Sequence, residues 1–244
     1  MDEAFNINTE YLTDAELEQL SKHLDKYKEL HERDKLQNEF LEFVNHVWPS
    51  FIAGNHHKIF AEKLERVARG ELKRLIVNMP PRHTKSEFAS YLFPAWVMGR
   101  DPHTKIIQAT HTAELAVGFG RKVKNLLDSE IYRDVFPDME LARDAKASGR
   151  WSTNEGGEYY AVGVGGALAG RGANLCIIDD PVSEQDALSP TALDNIYEWY
   201  TSGPRQRLQP GGAIIIVMTR WSIRDLTAKV LQKQAEGGAD QWEV

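Results

Sequence analysis

The sequence is short of several things, and each shortage narrows the class before any motif is read. It has one cysteine, Cys176, inside the apolar run Leu175-Cys176-Ile177-Ile178, so neither an intrachain disulfide framework nor a cysteine zinc cluster can form. A buried thiol in a reducing compartment is the expectation. No stretch of 18 or more apolar residues offers a membrane-spanning helix, and the opening MDEAFNINTE has neither the basic start nor the apolar stretch of a secretory signal. Internal repeats and low-complexity tracts are also missing. What remains is 244 residues, 42% hydrophobic and 27% charged, enough for one substantial core or one core with a small appendage.

The net charge of −7 is unevenly placed. Residues 1–42 hold 12 Asp/Glu against 5 Lys/Arg, while residues 43–244 carry 24 of each. The acidity is therefore an N-terminal property, and it neither opposes nor supports a polyanion-binding surface on the main body.

Two textures divide the chain. Thr13-x-x-Glu16 has the form of a capping box, after which Leu17, Leu20, Leu24, Tyr27 and Leu30 recur at helical spacing. A second apolar set, Leu36, Phe40, Phe43, Val44 and Val47, continues that spacing to Trp48-Pro49, where proline should stop it. Residues 1–48 thus read as a helical preface, which either packs one face on the body or docks a partner. From about residue 72 short apolar runs alternate with longer helical stretches. The runs are Leu75-Ile76-Val77, Lys105 to Ala109, Tyr159 to Val162, Leu175 to Ile178 and Ala213 to Met218. One helical stretch puts Leu115, Phe119, Val123 and Leu126 on a face, a second Leu193, Ile196, Tyr197 and Tyr200, and a last one Ile223, Leu226 and Val230. Such alternation predicts an α/β domain over residues 49–244, a mostly parallel sheet flanked by helices, with ligands beyond the carboxyl ends of the strands.

Chemistry collects at those ends. The first strand runs into Pro80-Pro81-Arg82-His83-Thr84-Lys85-Ser86 and then a helix carrying Phe88, Tyr91 and Leu92. A bound nucleoside triphosphate needs backbone amides and a helix N-terminus around its phosphates, a lysine on the outer phosphates and a hydroxyl on Mg²⁺. Lys85 and Ser86 supply the last two, although Met79 and Thr84 stand where G-x-x-x-x-G-K-[ST] has glycines. An ordinary strand-to-helix turn is the plainer reading of this loop alone. The run ending in Asp179-Asp180-Pro181 offers the second half of such a site: one carboxylate to hold Mg²⁺ with Ser86, and a second to orient the attacking water. By position these are Asp179 and Asp180. Upstream, Gly165 to Ala173 surrounds a lone Arg171 with small residues, which suits either an anion-seeking arginine or a structural salt bridge. At the end of the last strand Thr219-Arg220-Trp221-Ser222 would sense a γ-phosphate, or Thr219 would cap the following helix.

Taken as a set and in this order, the Pro80 to Ser86 loop, Gly170-Arg171-Gly172, Ile177 to Pro181 and Thr219 to Ser222 resemble the ATPase half of tailed-phage terminase large subunits over roughly residues 45–244. In that family a glycine-poor loop is the usual Walker A form. The resemblance implies a P-loop NTPase of the additional-strand type that uses ATP and Mg²⁺ to package double-stranded DNA. It further implies a homo-oligomeric ring, usually a pentamer, working in the host cytoplasm while docked on the procapsid, with the portal protein and the terminase small subunit as partners and no membrane. Carried over by position, Pro81, Arg82, His83, Thr84, Lys85 and Ser86 cradle the phosphates and Mg²⁺. Asp179 is the Walker B aspartate and Thr219 lies in the coupling motif. The glycine-flanked position of Arg171 just before that strand adds the expectation of a finger on a neighbour's ATP.

Many terminases have Glu after the Walker B Asp. Here Asp180 stands there and Glu184 follows four residues on, so the water-activating role falls to one of these two, with Asp180 favoured by adjacency. The adenine-contacting region is expected around Asn55, His56, His57, Lys58 and Phe60. Competing classes are another nucleic-acid translocase or helicase core, a metal-dependent nuclease centred on Asp179 and Asp180, and a non-catalytic assembly protein. A terminase would continue beyond Val244 into a nuclease domain, so no nuclease activity is expected of this stretch.

Overall fold

The central strands of the main sheet are apolar on both sides, and the computed structural model, which describes residues 12–145, 147–237 and 240–244, shows why. Six strands, β1 (Arg74–Asn78), β2 (Lys105–Thr110), β3 (Arg150–Ser152), β4 (Glu158–Gly163), β5 (Ala173–Asp179) and β6 (Leu208–Met218), lie in the order β1-β6-β5-β2-β4-β3. All neighbours are parallel except the short edge strand β3, which is antiparallel to β4. Side chains alternate between two cores. Leu75, Ile106, Ile177, Ile215 and Val217 face one, and Ile76, Ile107, Ile178, Ile214 and Ile216 face the other. Each such side chain contributes roughly 1.5–3 kcal/mol by leaving water, and burial on both faces is what makes parallel strands read as unbroken apolar runs. The fold is therefore the expected α/β class, and β6 is the extra strand between the loop-bearing β1 and the acid-bearing β5. Three-residue β3 carries too short a pattern to be read from sequence.

Helices α1 (Asp14–Asn38), α2 (Phe40–Val47), α3 (Asn55–Ala68), α4 (Phe93–Arg100), α5 (Ala113–Leu127), α6 (Glu130–Val135), α7 (Pro190–Ser202) and α8 (Leu226–Ala235) cover the sheet or extend from it. The capping box at α1 forms as expected: Thr13 and Glu16 exchange side-chain and backbone hydrogen bonds. The apolar set of α1 does not pack on the body, however. Leu17, Leu24, Tyr27 and Leu30 are exposed, and only Leu36 of this helix is buried. The helix also breaks at Glu39, because the amide of Phe40 bonds the Glu65 carboxylate at 2.8 Å instead of continuing the helical ladder. Beyond that break Phe40, Phe43 and Val44 join Phe88, Phe93 and Trp96 in one core, so packing runs continuously across residue 48. The opening residues of the preface, 1–11, lie outside the described residues.

Three local departures stand out. Sequence reading left α3 unassigned, since its buried His57, Phe60, Ala61, Leu64 and Val67 mix with strongly polar neighbours. On α5 the buried face is Ala116, Gly120, Val123, Leu126 and Leu127, and Leu115 points outward. Ile223 is 89% exposed and precedes the last helix, which starts at Leu226 with Asp225 accepting the Ala228 amide as its cap. The edge of β1 is closed by Glu243, whose carbonyl accepts from Ile76 N at 2.8 Å and whose amide donates to Arg74 O at 3.1 Å.

Candidate active site

The strand order brings the carboxyl ends of β1, β6 and β5 side by side, with Asn78 level with Met218 and Val217 level with Asp179. The loop after β1, the acidic pair after β5 and Thr219 after β6 consequently meet. Pro81, Arg82 and His83 are exposed at the outer turn, where His83 Nδ1 donates to Pro81 O at 2.9 Å. Thr84 follows, then Lys85 and Ser86 open the helix. Two loop residues other than glycine take the left-handed conformation, Arg82 at φ 63° and Thr84 at φ 60°. For β-branched Thr84 that is a strained choice, at the position where the common phosphate loop carries glycine.

The helix after the loop is wound as a π-helix over Glu87–Leu92, with Phe93 N donating to Phe88 O. Pro94 supplies no amide to Ser90 O, and wider winding absorbs the lost hydrogen bond. Ser86 and Ser90, four residues apart, both turn to Asp179. Ser86 Oγ donates to its Oδ1 at 2.9 Å and Ser90 Oγ to its Oδ2 at 2.7 Å, while Gln108 Nε2 donates to Ser90 Oγ at 3.0 Å. Asp179 is 2% exposed, and burial pushes its carboxyl up to about 6, the two serine hydrogen bonds pulling down and the charge of Asp180 pushing up. The Ser86 and Asp179 oxygens are hard donors of the kind Mg²⁺ takes, here hydrogen-bonded to each other. Their chemistry suits the expected ion.

Asp180 takes the left-handed region at φ 41°, tolerable for Asp, and this turns its side chain back over the strand ends. Its Oδ2 pairs with Lys85 Nζ at 2.7 Å, and its Oδ1 accepts the Thr219 amide at 2.7 Å. Lys85 is buried while the Asp180 side chain is 39% exposed, so the pair is shielded on the lysine side and open to solvent on the carboxylate side. Thr219 Oγ1 in turn donates to Met79 O at 3.3 Å. Thr219 therefore ties loop to acidic pair and does not cap α8. Glu184 is exposed on the segment after β5, away from this set of contacts.

Arg171 is not part of this cluster in its own chain. It precedes β5, whose two ends lie roughly 20 Å apart at about 3.3 Å per residue. Its guanidinium sits 4.7 Å from the Tyr160 ring centre and 4.0 Å from Glu158, at the amino end of the strands. In the expected adenine region His57 is buried, whereas His56 and Phe60 line a cavity of about 250 Å³ with Ile59, Val77 and Met79 between α3 and the edge of β1. Sequence reasoning missed Ser90, Gln108 and the pair His111–Asp186, 3.0 Å apart beside the acidic pair. Gln108 did leave a signal, as the one amide in an apolar strand.

Neither a family model nor a curated protein matches the sequence. Among solved structures the chain is similar to the large terminase of bacteriophage HK97, with a TM-score of 0.53 and 12% sequence identity over 82% of this chain. It spans 41% of that protein's chain, less than half. At such identity the likeness is one of fold, and the chain has a terminase-like fold: a mostly parallel six-stranded sheet flanked by helices, with a helix at its N-terminal end.

Proposed function

We propose that this chain is the ATP-hydrolysing motor part of a tailed-phage terminase large subunit, driving double-stranded viral DNA into a procapsid. One observation carries the reading: Lys85, Ser86, Asp179, Asp180 and Thr219, drawn from three separate stretches of sequence, converge at the carboxyl ends of three adjacent strands. The terminase-like fold supports it. In this reading Ser86 and Asp179 hold Mg²⁺, which neutralises charge on the phosphates when bound. The amides of residues 82–86 and the start of the helix receive the phosphate oxygens. Lys85 exchanges the Asp180 carboxylate for the outer phosphates, and Asp180, released from that pair, orients the attacking water. Because Asp180 also accepts the Thr219 amide, the exchange is felt at the end of β6 and passes to the segment leading to α8. Double-stranded DNA, the portal protein, the small subunit and further copies of the chain in a ring are the partners this function requires.

ATP turnover by the purified chain, with and without double-stranded DNA, tests the proposal. Lys85→Ala removes a charge-assisted contact that strengthens in the transition state, so turnover should fall by a factor of roughly 10² or more while the fold survives. Equal turnover by a folded Lys85→Ala protein would remove the loop from the mechanism. Stimulation by single-stranded but not double-stranded nucleic acid would point to a helicase core instead.

A further inference from the structure

The strained residue of the loop is pinned from outside it. Thr84, held at φ 60°, makes two hydrogen bonds through its hydroxyl: it donates to His83 O at 2.6 Å and meets His57 Nε2 at 2.5 Å. His57 Nδ1 accepts the Gly54 amide at 2.9 Å, so the proton of the neutral ring resides on Nε2 and points at Thr84. Three donors then run one way, from Gly54 N–H to His57, from His57 Nε2–H to Thr84, and from the Thr84 hydroxyl to the His83 carbonyl. The imidazole itself has little freedom. It is 7% exposed, stacked on Phe88 at 5.2 Å, edge-on to Phe51 at 4.8 Å and in contact with His56 at 3.8 Å. Burial holds its pKa below the ordinary histidine value, with the charges of His56 and His83 acting in the same direction.

We infer that His57 is a positioning residue for the phosphate loop: a strut from α3 that fixes Thr84 in a conformation glycine would adopt unaided, and so sets the direction of Lys85 and Ser86. Glycine needs no such support, because it enters the left-handed region without steric penalty. Threonine does not, and its hydroxyl is the handle by which the fold holds it. Both ring nitrogens are already committed, which leaves His57 nothing to offer a base. The inference rests on the nucleotide-binding reading for its functional consequence, though not for its structural one.

The test compares one substitution in two backgrounds. His57→Phe keeps the ring and loses the hydrogen bonds. Hydrogen exchange of backbone amides in peptides spanning residues 82–86 should quicken roughly five- to tenfold, the effect of losing one hydrogen bond of ordinary strength. In a Thr84→Gly background the same substitution should change exchange by less than about twofold, since glycine has no hydroxyl to hold. Thr84→Val, which keeps the branched side chain but not the hydroxyl, leaves the core around His57 intact and should quicken exchange as His57→Phe does. The KM for ATP should rise by a similar factor in the same variants, with a smaller change in kcat. Unchanged exchange in His57→Phe and Thr84→Val, or an equal effect of His57→Phe in both backgrounds, would overturn the strut. ATP turnover that survives Lys85→Ala, or no turnover in any variant, with the exchange pattern intact would instead overturn the assignment of nucleotide hydrolysis to this loop and leave the strut standing.

Discussion

Asp179 carries its charge in a place that resists it. Its carboxyl is pushed up to about 6 by burial, above the ordinary aspartate value of 3.8. Between those two values the folded chain binds a proton that the unfolded chain does not, so stability falls as pH rises through the window and the full cost is present above it. A shift of this size corresponds to roughly 3 kcal/mol. Asp179→Asn should therefore stabilise the protein by about 1–3 kcal/mol at pH 8 without Mg²⁺ or nucleotide, and the difference should close toward pH 4. Denaturant unfolding across pH measures it, and a variant less stable than the parent at pH 8 would refute the burial argument. The same variant should lose Mg²⁺-dependent hydrolysis, the mark of a site held at the expense of stability. Asp180 is the complementary case. It is part-exposed, paired with Lys85 and bound to the Thr219 amide. Asp180→Asn should leave nucleotide binding in place and reduce turnover by a factor of roughly 10² or more, whereas exposed Glu184→Gln should change turnover little. The opposite pattern would transfer the water-orienting role to Glu184.

At the scale of elements, the two stretches of the N-terminal preface behave differently despite similar sequence periodicity. Leu24 and Leu30 of α1 are 39% and 47% exposed, while Phe40 of α2 is fully buried against Phe88 and Phe93. The double substitution Leu24→Ser with Leu30→Ser should alter unfolding free energy by less than about 0.5 kcal/mol, and Phe40→Ala should cost about 3–5 kcal/mol. A large loss from the leucine pair would mean that α1 packs on the body after all. Periodicity alone could not make this distinction, because it shows that a helix has an apolar face and not what that face meets. Strands β1, β2, β4, β5 and β6 were legible for the contrary reason: burial from both sides leaves continuous apolar runs that need no partner to be recognised. The loop after β1 and the acidic pair after β5 stood out in the sequence because each is a short local pattern at a strand's end. His57, Ser90 and Gln108 were not, since their roles exist only when α3, the π-helical stretch and β2 are brought against the loop and β5.

For the whole molecule, the position of Arg171 decides what kind of assembly the chain must form if that residue is to act on ATP. Lys85 and Asp179 lie at the carboxyl ends of the strands, and Arg171 lies near the amino ends beside Glu158 and Tyr160. A finger role is therefore compatible only with a head-to-tail contact, in which the amino end of one sheet faces the carboxyl end of the next. Such heterologous contacts close into rings when the rotation permits. Arg171 would have to leave the Tyr160 ring to reach across, and the glycines on either side of it allow that movement. Specific ATPase activity should then climb with protein concentration, and Arg171→Ala should abolish the climb with nucleotide affinity largely unchanged. Loss of a finger costs roughly 10³–10⁵ in rate in related phosphoryl-transfer systems. A structural clasp on Tyr160 and Glu158 gives another signature: a modest loss of stability, the same at every concentration, with no change in how turnover scales. Mixing separates the two. Arg171→Ala subunits keep a sound nucleotide site and Lys85→Ala subunits keep a sound finger, so mixed assemblies should recover part of the activity that each variant lacks alone. Mixed assemblies verified by mass that recover none would exclude action across the interface and leave Arg171 as the clasp that joins the loop before β5 to β4.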